Sequence, residues 1–238
     1  MRKFNDIFMK SAVLTALLLL LFTNCIRNDI TVQRFNLPEF DYITNNTFAN
    51  VYITPSYTQS VEIEATEVVL NNLILDVDNH KLTIDYRKRL TPWYGPTNIY
   101  IRIPYFTGYN LNGSGNLTID QPFDSCETVY LEINGSGNID ANLHLSNYIN
   151  SHINGSGNID LQGYCPFQDI RISGSGNVNA EYFKTKLSDV EISGSGNCIV
   201  HADSVLNAYI SGSGNIRYKG HPIVTSRITG SGNIRSIF

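Results

Sequence analysis

Asp140 and Asp160 occupy the same place in two copies of one phrase, Gly-Ser-Gly-Asn-Ile-Asp, 20 residues apart. If the copies stack as neighbouring strands, about 4.8 Å apart, the carboxylates come side by side. Two like charges that close either share a proton or hold a cation. The same separation suits the carboxylate pair of a retaining glycosidase. Glu132 and His152 flank the same phrases on the other side. The simpler reading is a solvated acidic patch, with no catalytic residue, metal or cofactor. Other reactive types are scattered. His80, His144, His152, His201 and His221 lack ligand spacing, and Cys126, Cys165 and Cys198 form no CxxC pair, which argues against zinc. Three thiols leave at least one unpaired, and whether any two of them pair stays open. Arg87-Lys88-Arg89 reads as a solvated basic loop.

Stepping outward from the aspartates, the phrase GSGN recurs seven times. Its glycines and asparagines are Gly113, Gly115, Asn116; Gly135, Gly137, Asn138; Gly155, Gly157, Asn158; Gly174, Gly176, Asn177; Gly194, Gly196, Asn197; Gly212, Gly214, Asn215; and Gly230, Gly232, Asn233. It is neither a phosphate-binding loop, because no Gly-Lys-Ser/Thr follows, nor a dinucleotide fingerprint, because the third Gly is missing. The hydrolase elbow G-x-S-x-G is absent. A spacing of 18–22 residues is one coil of a solenoid.

The flanks confirm strands. Two residues before the first Gly stand Leu111, Ile133, Ile153, Ile172, Ile192, Ile210 and Ile228; directly after the Asn come Leu117, Ile139, Ile159, Val178, Cys198, Ile216 and Ile234. Apolar positions two apart, separated by polar ones, are strand periodicity. Two glycines per repeat exclude helix. The bracketing glycines are expected to take φ > 0 on both sides of Ser, at a bend where no Cβ fits. The recurrent Asn predicts a hydrogen-bonded amide ladder. The fold class is therefore all-β, a single-chain parallel β-solenoid. The irregular spacing favours the right-handed β-helix over the left-handed kind.

Residues 1–24 read as a signal peptide of lipoprotein type. Arg2, Lys3 and Lys10 precede an apolar run of 12 residues, Ser11 to Phe22, too short to span a bilayer. Phe22-Thr23-Asn24-Cys25 resembles a bacterial lipobox, with Asn24 where Gly, Ala or Ser is usual, and this marks Cys25 for lipidation. Acyl chains there would tether the protein without a transmembrane helix, through residues 25–34. The alternative is ordinary cleavage nearby with Cys25 a free thiol. The net charge is −4, and it becomes −6 without residues 1–24, so a nucleic-acid partner is disfavoured.

Residues 35–238 form the domain, with a strand-rich part over 35–108 and the seven GSGN coils over 109–238. In the first part Asn50 to Thr54, Val61 to Glu64 and Leu73 to Val77 alternate, and Asp78-Asn79-His80 turns into Lys81 to Tyr86 as a hairpin. Ile99 to Ile103 leads into the first repeat. This part is expected to cap the solenoid, as terminal units of repeat proteins must. At the other end the chain stops soon after Asn233, so the last strand edges, with Ile237 and Phe238, should lie open and invite pairing with a second copy or a partner.

These seven in-register coils, behind a lipoprotein-like leader and a strand-rich start, resemble the "putative auto-transporter adhesin" family with a head GIN domain over residues 35–238. The resemblance implies an all-β solenoid on an anchored protein of a Gram-negative cell envelope, outer membrane included, and brings no catalytic residues. Two function classes follow. One is a non-enzymatic adhesin or module binding glycan or another envelope component. The other is a carbohydrate-active β-helix lyase or glycosidase, by analogy of fold. An enzyme would need Asp, Arg, Lys and His clustered on one face. The column Asn110, Glu132, His152, Arg171, Glu191, Tyr209, Arg227 is mixed and offers no such centre.

Overall fold

The computed structural model describes residues 29–237, leaving the Ser125 side chain aside. The leader, Cys25 and Phe238 lie outside the described residues. Among the described residues, alternating sequence gives sixteen strands in one continuous sheet that winds into a solenoid. The coils are β9 (Leu117–Ile133), β10 (Ile139–Ile153), β11 (Asn158–Ile172), β12 (Asn177–Ile192) and β13 (Asn197–Gly212). They are followed by β14 (Asn215–Lys219), β15 (Ile223–Gly230) and β16 (Asn233–Ser236). Neighbours pair in parallel register, Ile139 with Ile159 and Ile153 with Ile172, for example. Register shifts fall mid-coil, as between His144 and Tyr148, where the spacing varies by a residue or two.

The core follows the two apolar columns. Leu111, Ile133, Ile153, Ile172, Ile192 and Ile210 are buried, as are Leu117, Ile139, Ile159, Val178, Cys198 and Ile216. Burial contributes about 1.5–3 kcal/mol for each such aliphatic side chain. Only the last coil departs, with Ile228 44% exposed. Ile237 is half-buried, its N–H donating to the Tyr218 carbonyl at 2.9 Å.

The glycines are needed for a different reason from the one expected. Among the corner glycines only Gly212 (φ 148°) and Gly230 (φ 131°) have positive φ. What excludes a side chain is the coil beneath. A Cβ on Gly135, Gly155, Gly174 or Gly194 would overlap the carbonyl oxygen of the preceding coil's first glycine. One on Gly137, Gly157, Gly176 or Gly196 would overlap that of its second. Close stacking of identical corners sets the residue type, not a left-handed backbone.

The same reasoning uncovers a corner that the motif hides. Gly113 and Gly115 rest on the carbonyls of Thr47 and Ala49, so Thr47-Phe48-Ala49-Asn50 is a corner of the same kind without glycine. Side chains fit there because the layer beneath has no corner: the chain leaves the stack between Tyr86 and Asn98, through a short 3-10 turn at Pro92–Tyr94.

That layer is β6 (Lys81–Tyr86) with β7 (Asn98–Ile103). Next to it lie β2 (Tyr42–Asn45) and β3 (Asn50–Pro55), and only then β8 (Gly108–Leu111) with β9. Ile99 to Ile103 thus precedes the first repeat in sequence, but β3 is inserted between them in space. The hairpin of β5 (Leu73–Asp78) with β6 forms as expected, Asn79 (φ 48°) and His80 (φ 61°) making its turn. β4 (Ser60–Thr66) runs antiparallel to β7, and β1 (Ile30–Phe35) antiparallel to β4, closing this end of the stack. Residues 30–34, expected in a tether, belong to β1. One helix that the alternation did not foretell, α1 (Glu67–Asn72), links β4 to β5 and buries Val69.

Candidate ligand-binding face

Beside the corners runs an amide ladder. From Asn138 to Asn215 each Asn of the motif donates its side-chain N–H to the Oδ1 of the Asn one coil earlier. The distances are 3.2 Å for Asn138, 2.9 Å for Asn158 and Asn177, 3.0 Å for Asn197 and 2.9 Å for Asn215. In Asn138, Asn158, Asn177 and Asn197 the backbone N–H reaches the same oxygen. The ladder continues below the repeats: Asn116 bonds Asn50 at 3.0 Å, Asn50 bonds Asn98, and Asn98 bonds Glu64 Oε2 at 3.1 Å. Asn50 and Asn98 were not singled out in the sequence. Their signal was present, because Asn50-Val51-Tyr52-Ile53 and Asn98-Ile99-Tyr100-Ile101 repeat the Asn-apolar-x-apolar pattern that follows GSG in the first six copies.

Outward of the ladder lies a straight column, in register coil by coil: Tyr100, Tyr52, Thr118, Asp140, Asp160, Asn179, Ile199, Arg217, Arg235. Nine rungs at about 4.8 Å span roughly 40 Å. Between ladder and column run two grooves. One, of about 570 Å³, is lined by residues from Asn50 and Tyr52 to Asn158 and Asp160; the other, of about 490 Å³, runs from Asn177 to Arg235. At the cap end the Tyr52 and Tyr100 rings stack, centroids 5.2 Å apart at 18°.

The two aspartates do meet on adjacent rungs. Burial pushes the Asp140 carboxyl above its usual range, and Asp160 and then Asp120 add to the rise. Asp160 accepts a bond from Asn179 Nδ2 at 3.0 Å. Among the described residues no group of three or more His, Cys, Asp or Glu side chains is placed to hold a metal ion. Glu132 and His152 are neighbours across the corner. Their column is largely self-satisfied: Asn110 Nδ2 donates to Glu132 at 2.9 Å, and Arg171 pairs with Asp169 at 3.1 Å and Glu191 at 3.8 Å.

Cys126, Cys165 and Cys198 are buried and free. Burial raises all three thiols, Cys165 to about 11, which suppresses the nucleophilic thiolate. His144 Nδ1 lies 2.6 Å from Asp124 and its ring stacks on Tyr164. Lys88 and Arg89 of the basic loop line a hollow of about 610 Å³ that also contains Asp85. The coil interior holds a polar cluster that periodicity did not reveal. Gln168, Ser188 and Thr185 are buried, and the Gln168 Nε2 has no partner.

The model of the family described as "Putative auto-transporter adhesin, head GIN domain" matches residues 39–222. The chain belongs to this family. No curated protein matches it. Among solved structures it is similar to a "putative adhesin" of Bacteroides fragilis, with TM-score 0.83, 23% identity, and coverage of 88% of this chain and 97% of that one. A "putative adhesin" of Parabacteroides merdae follows at TM-score 0.70 and 20% identity, covering 89% and 98%. A "putative lipid binding protein" of Parabacteroides distasonis gives TM-score 0.70 at 21% identity, with the same coverage. At these identities the likeness establishes a shared fold. No helix among the described residues is long and apolar enough to cross a membrane.

Proposed function

We propose that this head GIN chain is an exported, non-enzymatic adhesion module that binds an extended glycan or another envelope component along the Asn-ladder grooves. The observation that carries the reading is the column itself: a track of roughly 40 Å, interrupted in its polar run by Ile199, that begins at a stacked tyrosine pair. Aromatic faces and regularly spaced amides suit a repeating, hydroxyl-rich chain. A compact centre joining nucleophile, base and oxyanion donors, as an acyl- or glycosyl-transferring enzyme needs, is not what these grooves offer.

The reading includes lipidation at Cys25 and residence on a Gram-negative cell envelope, supported by the basic, apolar and Cys-terminated leader. Cys25 and Ile30 are five residues apart, so β1 would lie within about 17 Å of the anchor. The capped end would then sit nearest the lipid, and Arg217 and Arg235 farthest from it. Intact mass of the membrane fraction should show a chain beginning at Cys25 with added acyl mass. A chain cleaved elsewhere with a free Cys25 thiol would remove the anchor from the account. For the grooves, a glycan panel should show saturable binding with no product in the same samples. A hydrolase or lyase product that disappears in Asp140→Asn or Asp160→Asn would make the protein an enzyme instead.

A further inference from the structure

The ladder has a donor surplus. An Asn side chain offers two N–H donors and an oxygen with two lone pairs. In Asn50, Asn116, Asn138, Asn158 and Asn177 both lone pairs are taken, by the backbone N–H and the Nδ2–H of the next coil. Only one of the two amide hydrogens is spent in the ladder. Each of these five rungs therefore presents an unspent N–H and no free acceptor, and such a stretch favours ligand oxygens over ligand donors; in the far groove this holds for Asn177, whereas Asn197 Oδ1 takes one bond, from Asn215.

The two grooves differ in charge. The cap-ward groove carries Asp140 and Asp160; the far groove carries Arg217 and Arg235 on consecutive rungs, beside Asn197, Asn215 and Asn233. Arg217 and Arg235 rise from backbone rungs about 4.8 Å apart, so their like charges repel each other. Among the described residues neither has a carboxylate partner, whereas Arg34, Arg171 and Lys219 each pair with one. Planar guanidinium forks bind carboxylate and sulfate oxygens in two-point contacts.

We propose that the groove from Asn177 to Arg235 is an oxyanion site for an acidic glycan, its carboxylate or sulfate groups held by Arg217 and Arg235 and its other oxygens by the ladder amides. This rests on the glycan-binding reading of the same face and adds the ligand's class and polarity. Asp140 and Asp160 repel anions at the other end, so the charged groups are directed to the arginine rungs and the neutral, hydroxyl-bearing part to the tyrosine pair.

The test is calorimetric titration of the full chain, recovered from the cell envelope, with polygalacturonate, dextran sulfate and neutral dextran. Vesicles of equal phosphatidylglycerol and phosphatidylcholine serve as the phosphate-bearing alternative. The acidic glycans should bind at least tenfold tighter than neutral dextran and weaken as salt rises from 50 to 200 mM. Arg217→Gln/Arg235→Gln should abolish that preference, and Arg217→Lys/Arg235→Lys should restore part of it. Arg87→Gln/Arg89→Gln, outside the groove, should leave it intact. Arg235→Gln alone, at an exposed position, gives the answer if the double variant does not fold. Asp140→Asn/Asp160→Asn should tighten binding of the acidic glycans. Neutral dextran bound as tightly as the acidic glycans would overturn the oxyanion site while leaving the binding module standing. Absence of binding to every glycan would remove both. Tighter binding to vesicles, or equal loss in Arg87→Gln/Arg89→Gln, would also overturn the site.

Discussion

Replacing Gly157 by Ala tests the physical reason for the repeat. The added Cβ would overlap the Gly137 carbonyl oxygen and stand 2.9 Å from Ile133 Cγ2, where carbon atoms prefer about 3.5–4.0 Å. Relief requires the two coils to part at this corner by on the order of 1 Å. Three bonds cross there: Ser156 N–H to Gly135 O at 3.2 Å, and Asn158 backbone and side-chain N–H to Asn138 Oδ1 at 3.1 and 2.9 Å. Overpacking costs about 1–3 kcal/mol, and each lost bond about 0.5–1.5 kcal/mol. The sum is about 3 kcal/mol or more, a fall in Tm of roughly 6–12 °C for a domain of this size. Ser156→Ala, at the exposed middle of the same corner, should stay within about 0.5 kcal/mol of the parent. Urea and thermal melts of both variants decide the matter. If Gly157→Ala melts with Ser156→Ala, the corner glycines are not there to let coils approach, and the argument fails.

Further outcomes follow from burial and charge. Ile192→Asp places an unpaired charge in the core and should abolish the folded circular-dichroism signal. Glu191→Ala, its exposed neighbour with only a 3.8 Å pair to Arg171, should be nearly neutral; like behaviour of the two would show a wrong register. Gln168→Leu removes a buried amide N–H that has no partner and should raise stability in urea by about 1 kcal/mol; destabilisation would mean that this donor is satisfied. The Asp140 carboxyl is raised in the folded state by burial, Asp160 and Asp120, so its ionisation opposes folding and stability falls as pH climbs from 3.8 through the raised value. Asp140→Asn should therefore melt higher than the parent at pH 7, with the difference vanishing near pH 3. A gain at both pH values would detach the effect from titration.

Much of this was legible because a solenoid repeats its reasons. Once GSGN recurs at 18–22 residues, the inward columns, the ladder and the pairing of Asp140 with Asp160 follow from a period of two and a strand spacing. Two things escaped. The role assigned to the glycines was wrong in cause, since stacking on Gly137 or Gly157 is a contact between coils that no single repeat contains. The cap's order escaped as well. The insertion of β2 and β3 between β6–β7 and β8–β9 brings Asn45 beside Leu111, a long-range pairing that local alternation does not specify. Because Thr47-Phe48-Ala49-Asn50 lacks glycine, the GSGN motif does not mark it as a corner. The tyrosine stack was hidden with it, since Tyr52 and Tyr100 become neighbours only through that insertion.

The most direct test of the account is a hydrogen-exchange footprint of the chain with a bound glycan from the panel. Protection should concentrate at the ladder and its outer column, in the segments around Asn50–Tyr52, Asn138–Asp140, Asn158–Asp160 and Asn215–Arg217. The column from Glu132 to Arg227 should stay unchanged. Protection centred on that second column, with the ladder segments exchanging as in the free protein, would contradict the assignment of the binding face.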